Sequence, residues 1–169
     1  MPGVVAGGRS GAISAILRRS TAMTTDKLVA GEYEPAENIL HLWFPRRIEL
    51  ADAEAIRAFF DEVMAEWIRP CPSKPYLLVN FSNLHIRANM ADVYATSIAR
   101  FQPMLLGTYR YGMPPSFTGV AVALGNLQLA APANIFPDER SAREAIRAAK
   151  ENPSVLVHDR PRPHPGRRR

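Results

Sequence analysis

The chain has 169 residues, which fit one domain better than two, and its 47% hydrophobic and 22% charged residues supply enough apolar material for one core. The net charge of +5 comes from the two ends, because residues 24–157 hold 13 Lys and Arg against 15 Asp and Glu, a net charge of −2. This distribution argues against a folded nucleic-acid reader, which carries its basic patch on the domain, and a single cysteine, Cys71, excludes an internal disulfide.

The N-terminal part of the chain predicts a leader followed by a hairpin. Residues 1–24 contain three arginines and no acidic residue, and we expect a disordered leader there. Two short apolar runs follow, Leu28–Tyr33 and Ile39–Phe44, separated by the turn-forming residues 34–38. They are predicted to pair as an antiparallel hairpin.

The clearest predicted helix comes next, with Asp52 as its N-cap. Its apolar residues recur at helical spacing: Ile56, Phe59, Phe60, Val63, Met64 and Trp67. Pro70 and Pro72 are predicted to end it.

A buried strand and a second helix are predicted in the middle of the chain. Tyr76–Phe81 is apolar on both faces until Asn80, which is typical of a central strand covered on both sides. The second helix is predicted from Asn89 to Leu105, with Asn89 as its cap.

The closing third of the chain predicts a loop, two strands and a helix. Residues 107–116 are rich in Gly, Tyr and Pro and are predicted to form a loop, and 117–124 a buried strand. A short strand at 134–136 precedes a last helix, which the capping box of Ser141 and Glu144 is predicted to start. Residues 158–169, with five arginines, are predicted to be a disordered basic tail.

This order predicts one α/β domain over residues 25–157. Strands that alternate with helices imply a mostly parallel mixed sheet of about five strands, with the antiparallel hairpin at its N-terminal edge and helices packed on it.

The order of elements, together with the closing segment NIFPDERSAREAIRAAK at 134–150, resembles STAS domains of the SpoIIAA-like class, the sporulation anti-sigma-factor antagonists and their relatives. The resemblance covers about residues 28–151. It implies a STAS-like fold and a bacterial, cytoplasmic regulatory protein that binds a protein partner or itself as a homodimer.

The phosphorylation switch of that family does not carry over to this chain. The family places an Asp at the end of the central strand and a Ser or Thr at the start of the following helix. Here Asn80 stands at the strand end, and residues 86–90 contain no hydroxyl. We therefore expect no phospho-acceptor in this segment.

Catalytic and metal motifs are weak in this sequence. Ser82, His85 and Asp92 invite comparison with a Ser–His–acid triad, but a nucleophile elbow is missing. Local turn hydrogen bonds of Ser82 and Asn83, and the helix dipole beside Asp92, explain the segment better. No histidines pair at ligand spacing, and we expect no catalytic residue, cofactor or metal. His41 alternates with Ile39 and Trp43 on one strand face, where a hydrogen-bonded or partly exposed histidine is expected.

Two surfaces are candidate binding sites. Polar residues near the carboxyl ends of the central strands could line a ligand crevice: Asn80, Ser82, Asn83, His85 and Asn126. Tyr109, Arg110 and Tyr111 are predicted to be exposed at a loop tip and to form a partner interface. Burial of one tyrosine in the core, with Arg110 solvated, is the competing explanation, and stacking on nucleic-acid bases is a third.

These features predict a non-enzymatic regulatory or scaffolding domain that acts by protein–protein binding. The alternative is a small-ligand binder or minor enzyme that uses the crevice at the strand ends. A pocket with converging polar groups would favour the alternative, and a flat, well-packed strand end would favour protein binding.

Overall fold

A computed structural model describes residues 27–113, 117–128 and 133–152. The strands are β1 (Ala30–Glu34), β2 (Ile39–Trp43), β3 (Ile48–Leu50), β4 (Tyr76–Asn80), β5 (Leu84–Ile86), β6 (Gly107–Tyr111) and β7 (Ile135–Phe136). The helices are α1 (Ala53–Val63), α2 (Ala91–Ala99), α3 (Phe117–Gln128) and α4 (Glu139–Glu151). The predicted leader and basic tail lie outside the described residues.

Five strands form the central sheet in the order β1-β2-β4-β6-β7. β1 runs antiparallel to β2, with Ala30 opposite Trp43, and the other neighbours are parallel. This confirms the predicted mixed α/β sheet with an antiparallel hairpin at one edge. β3 and β5 form a separate parallel ladder, which the sequence analysis did not predict.

The first predicted helix is confirmed. The Asp52 carboxylate accepts a hydrogen bond from the backbone N–H of Ala55, and the apolar stripe of α1 packs into the core. The helix continues as a π-helical turn over Met64–Ile68 before the Pro70–Pro72 segment.

The second helix is shorter than predicted. Asn89 lies in a 3₁₀ turn at Ala88–Met90 rather than at the cap, and α2 ends at Ala99. A second 3₁₀ turn, Gln102–Met104, follows with Pro103 inside it. Proline lacks the backbone N–H that an α-helix needs at that point, so the helix cannot run on to Leu105.

Two predictions for the closing third are wrong. The segment predicted as a loop contains strand β6, which lies between β4 and β7 in the sheet, and the segment predicted as a strand is helix α3. Periodicity alone cannot distinguish a short, fully apolar strand from a buried helix. The topology does distinguish them, because parallel neighbours such as β6 and β7 need a crossover connection, usually a helix.

The last strand and helix are present, with a different cap. Asp138 precedes α4 and accepts a hydrogen bond from the backbone N–H of Ser141, so Ser141 lies inside the helix and is not its cap. Ala142, Ile146 and Ala149 are buried against the sheet.

The two faces of the sheet are covered unequally. Residues of α1, α2 and α3 contribute to the large core cluster with Leu40, Leu42, Leu77 and Val79. On the opposite face, α4 is the helix of the described ranges that packs on Ile39, Tyr76, Leu78, Tyr109 and Tyr111. None of the helices in the described part of the chain is long and apolar enough to cross a bilayer.

Candidate functional site

Of the residues predicted to line a ligand crevice, Asn80 ends β4, Ser82 and Asn83 follow it, and the side chains of Asn80 and Asn83 bond to backbone groups. The Asn80 side-chain oxygen accepts a hydrogen bond from the backbone N–H of Ser82 at 2.9 Å. The Asn83 amide donates to the Phe44 carbonyl at 2.8 Å. His85 lies in β5, opposite Glu49 of β3. Asn126 is in α3, and its side chain lies outside the described part of the structure.

Close packing fills the space beside Asn80. Gly112 follows β6 with a φ of +64°, a left-handed conformation that favours glycine. A Cβ at this position would lie 2.4 Å from Ser82 Oγ and 2.8 Å from Asn80 Oδ1. The Gly112 backbone therefore lies close against the Asn80 and Ser82 side chains, which leaves little room for a ligand between them.

The three residues predicted to form a partner interface lie in β6 instead of an exposed loop. Tyr109, Arg110 and Tyr111 are each buried, with exposed fractions of 2%, 2% and 8%. The Arg110 guanidinium donates to the Tyr94 hydroxyl at 3.2 Å and to the Ala133 carbonyl. The prediction of an exposed loop tip is wrong, because the ladders to β4 and β7 fix this segment inside the sheet, and the interface prediction loses its basis.

A polar network lies on the α4 side of the sheet and is centred on Tyr111. The Tyr111 hydroxyl donates to Glu139 Oε2 at 3.1 Å and lies 2.8 Å from His41 Nε2. Because an ionised carboxylate only accepts, His41 must donate to the tyrosine oxygen, which fixes its Nε2–H tautomer. Asn80 hydrogen-bonds the same hydroxyl.

Burial sets the protonation states in this network. It raises the pKa of Tyr111 to about 12, an effect to which the Glu139 carboxylate adds. Burial also lowers the pKa of His41, although the negative charge of Glu139 acts to raise it. The Arg143 guanidinium and the histidine favour the ionised form of Glu139, whose pKa is lowered despite partial burial. At neutral pH the network thus joins a neutral tyrosine, a neutral imidazole and a carboxylate.

Arg143 extends the network to the hairpin. It donates to Glu139 at 2.7 Å and to both carboxylate oxygens of Glu34 at 2.9 and 2.7 Å. Such a two-pronged pair is stronger and more directional than a single contact. The network therefore ties β1, β2, β6 and α4 together. The sequence signal for it was the alternation that placed His41 on this face; Glu34, Glu139 and Arg143 carried no signal in sequence.

An apolar surface lies on the outer side of α3, where the sequence pattern predicts a buried strand and therefore no exposed helix face. Val120, Leu124 and Leu127 are 48%, 44% and 60% exposed, and Ala123 is exposed beside them. At about 100° per residue these four fall within one arc of about 100°, opposite the buried Ala121 and Val122 side. We call these four residues the α3 stripe.

Chemistry at a metal ion finds no support in the described ranges, where no three His, Cys, Asp or Glu side chains are grouped as metal ligands.

Comparison with known proteins leaves the family open. No family model matches the chain, and no curated protein matches it. One solved structure to which the chain is similar is that of SLC26A9, with 9% sequence identity and a TM-score of 0.45. The similarity covers 70% of this chain and 21% of that chain, so most of SLC26A9 lies outside it.

Proposed function

We propose that this chain is a non-enzymatic regulatory or scaffolding domain that acts by protein–protein binding, with the α3 stripe as its contact surface. The observation that carries the proposal is the exposure of Val120, Leu124 and Leu127 on one side of a helix. Single exposed apolar residues are normal on a protein surface, whereas a contiguous apolar patch marks an interaction site.

The sequence around α3 strengthens the argument. No charged residue occurs between Arg110 and Asp138. A helix that is apolar around its whole circumference is normally covered on all sides. Here α2 and β5 cover one side of α3, and the opposite side carries the stripe. Removing this apolar surface from water is worth roughly 25 cal/mol per Å².

Packing at the strand ends favours protein binding over the small-ligand alternative. A ligand site needs a cavity with a few converging polar groups. Asn80, Ser82 and Asn83 instead make hydrogen bonds within the protein, and the Gly112 backbone closes on two of them. The proposal also includes a cytoplasmic location and a regulatory role, which the SpoIIAA-like resemblance implies.

The experiment compares two glutamate substitutions at matched leucines. Leu124→Glu places a charge in the stripe, and Leu106→Glu places one at a leucine that is 45% exposed outside α3, against 44% for Leu124. The full-length chain and both variants are immobilised and incubated with native lysate to which copies of this chain are added. The proteins that each of the three retains are quantified by mass spectrometry.

We expect a protein that wild type and Leu106→Glu retain and that Leu124→Glu loses at least tenfold. Circular dichroism and urea unfolding serve as controls for the folding of both variants. Equal retention by all three chains would contradict the assignment of the stripe as the contact surface.

A further inference from the structure

We infer that the partner at the α3 stripe is a second copy of this chain, docked so that the two α3 helices pack antiparallel across a two-fold axis. The inference rests on the proposed function, because it names the partner of the same surface. It follows from the charge and the spacing of the stripe.

The charge pattern favours an uncharged partner surface. The helix Phe117–Gln128 contains no Lys, Arg, Asp or Glu, so it offers nothing to pair with the charges of an ordinary protein surface. Burying an unpaired charge against it would be strongly unfavourable. Nor does α3 carry the cations with which an amphipathic helix engages an anionic lipid surface. A second copy of this chain carries the same uncharged apolar stripe, and it is present wherever the protein itself is present.

The spacing of the stripe makes it complementary to itself. In a two-fold interface residue i contacts residue j, and j contacts i in return. Residues 120, 123, 124 and 127 are symmetric about the midpoint between 123 and 124. An antiparallel pair centred there sets Val120 against Leu127 of the second copy, and Ala123 against Leu124. A small side chain thus faces a large one at the crossing, which lets the helices approach closely.

The size of the stripe indicates a weak dimer. Twelve helical residues span about 18 Å, and one helix face buries less than the ~1,000 Å² in total that a stable interface needs. The pairing should therefore depend on concentration and exchange rapidly between monomer and dimer.

Cross-linking at the crossing point tests the geometry directly. In a Cys71→Ser background, Ala123→Cys puts one thiol beside the two-fold axis. Ala58→Cys puts one at an exposed alanine of α1 as the matched control. With a short bismaleimide we expect covalent dimers from Ala123→Cys that increase with protein concentration, at least fivefold above those from Ala58→Cys. Equal cross-linking of the two variants overturns the proposed axis.

Charge pairing tests the antiparallel register. Val120→Glu and Leu127→Lys chains should each be monomeric in analytical ultracentrifugation, because each homodimer would bury two unpaired charges. Mixed in equal amounts, they should form heterodimers, in which Glu at 120 faces Lys at 127. Failure of the mixture to dimerise, while the wild-type chain does, overturns the antiparallel register.

Sedimentation of the wild-type chain separates this inference from the proposed function. A weight-average mass that rises toward twice the monomer mass with concentration, and is restored to the monomer by Leu124→Glu but not by Leu106→Glu, supports the pair. A monomer at every concentration overturns it. If another protein is still captured through Leu124 in that case, the proposed function stands and only the self-pairing fails.

Discussion

At the scale of single residues, β6 carries two tyrosines on the same sheet face with opposite hydrogen-bonding situations. The Tyr111 hydroxyl contacts His41, Glu139 and Asn80. The Tyr109 hydroxyl is buried and has no hydrogen-bond partner among the described residues. A buried hydroxyl without a partner destabilises the fold, whereas a satisfied one contributes modestly to it.

The two tyrosines therefore predict opposite responses to loss of the hydroxyl. Tyr111→Phe should lower the free energy of unfolding by about 1–2 kcal/mol, because Glu139 and His41 lose their shared partner. Tyr109→Phe should leave it unchanged or raise it by up to about 1 kcal/mol. Urea unfolding of the two variants measures both values. A larger loss for Tyr109→Phe than for Tyr111→Phe would refute this assignment.

His41 predicts a pH dependence of stability. Burial lowers the pKa of His41 below the ordinary 6.5, although Glu139, Glu34 and Glu32 act in the opposite direction and Arg143 in the same one. The unfolded chain thus takes up this proton at a higher pH than the native state does. The free energy of unfolding should fall as the pH drops from about 6.5 through the native pKa.

His41→Gln should flatten that dependence between pH 7 and pH 5 in urea unfolding, with His85→Gln as the control. Carboxylates whose pKa values are lowered, such as Asp138 and Glu37, lose their contribution only at more acidic pH. An unchanged slope in His41→Gln would show that this imidazole does not control the transition.

At the scale of elements, the position of α3 depends on close contact with α2. Gly125 faces Tyr94, and a Cβ there would lie 2.7 Å from Tyr94 Cδ1 and 3.2 Å from the Ala91 carbonyl oxygen. Among the described residues, Gly119 in the same helix meets only Met113 Cγ, at 3.3 Å, within the flexible side chain of a methionine. Alanine substitutions at the two glycines therefore distinguish the effect of helix packing on stability from the effect of helix propensity.

Gly125→Ala should destabilise the chain by about 1–2 kcal/mol, because overpacking outweighs the gain in helix propensity. Gly119→Ala should be neutral or stabilising by up to about 1 kcal/mol, since alanine favours a helix over glycine. Thermal unfolding of both variants compares them. The reverse order would place α3 differently against α2.

At the scale of the whole molecule, charge is divided between the domain and its ends. Residues 24–157 carry a net charge of −2, while residues 158–169 hold five arginines and one aspartate. Within the described ranges, three of the four basic residues of α4 are engaged: Arg143 pairs with Glu34, Lys150 with Glu37 and Arg140 with Glu144. The domain surface therefore has little unpaired positive charge on this helix to offer a phosphate backbone.

Any binding to nucleic acid should accordingly depend on the tails. Deletion of residues 1–22 and 158–169 should abolish the anisotropy change of a labelled duplex at about 150 mM salt, because arginine–phosphate contacts release counterions and weaken steeply with salt. A full-length chain with the five C-terminal arginines replaced by glutamine should bind with a shallower salt dependence. Undiminished binding by the trimmed chain would assign the contact to the domain.

Features of this fold that depend on local pattern can be predicted from the amino-acid sequence. The α/β class, the β1–β2 hairpin, helix α1 with its Asp52 cap and the buried strand β4 follow from periodicity, turn residues and capping. The partly exposed, hydrogen-bonded His41 followed from alternation along its strand. These features were accessible because their determinants lie within a few residues of each other.

Features that depend on partners distant in the chain are set by tertiary packing. An uncharged apolar run fits a strand or a helix equally well, and the parallel pairing of β6 with β7 made residues 117–128 a crossover helix. Tyr109, Arg110 and Tyr111 are buried because their strand has a neighbouring strand on each side. The α3 stripe is exposed because α2 packs on the other side of α3. Whether an apolar side chain serves the core or a partner is set by what packs against it, and sequence spacing does not contain that information.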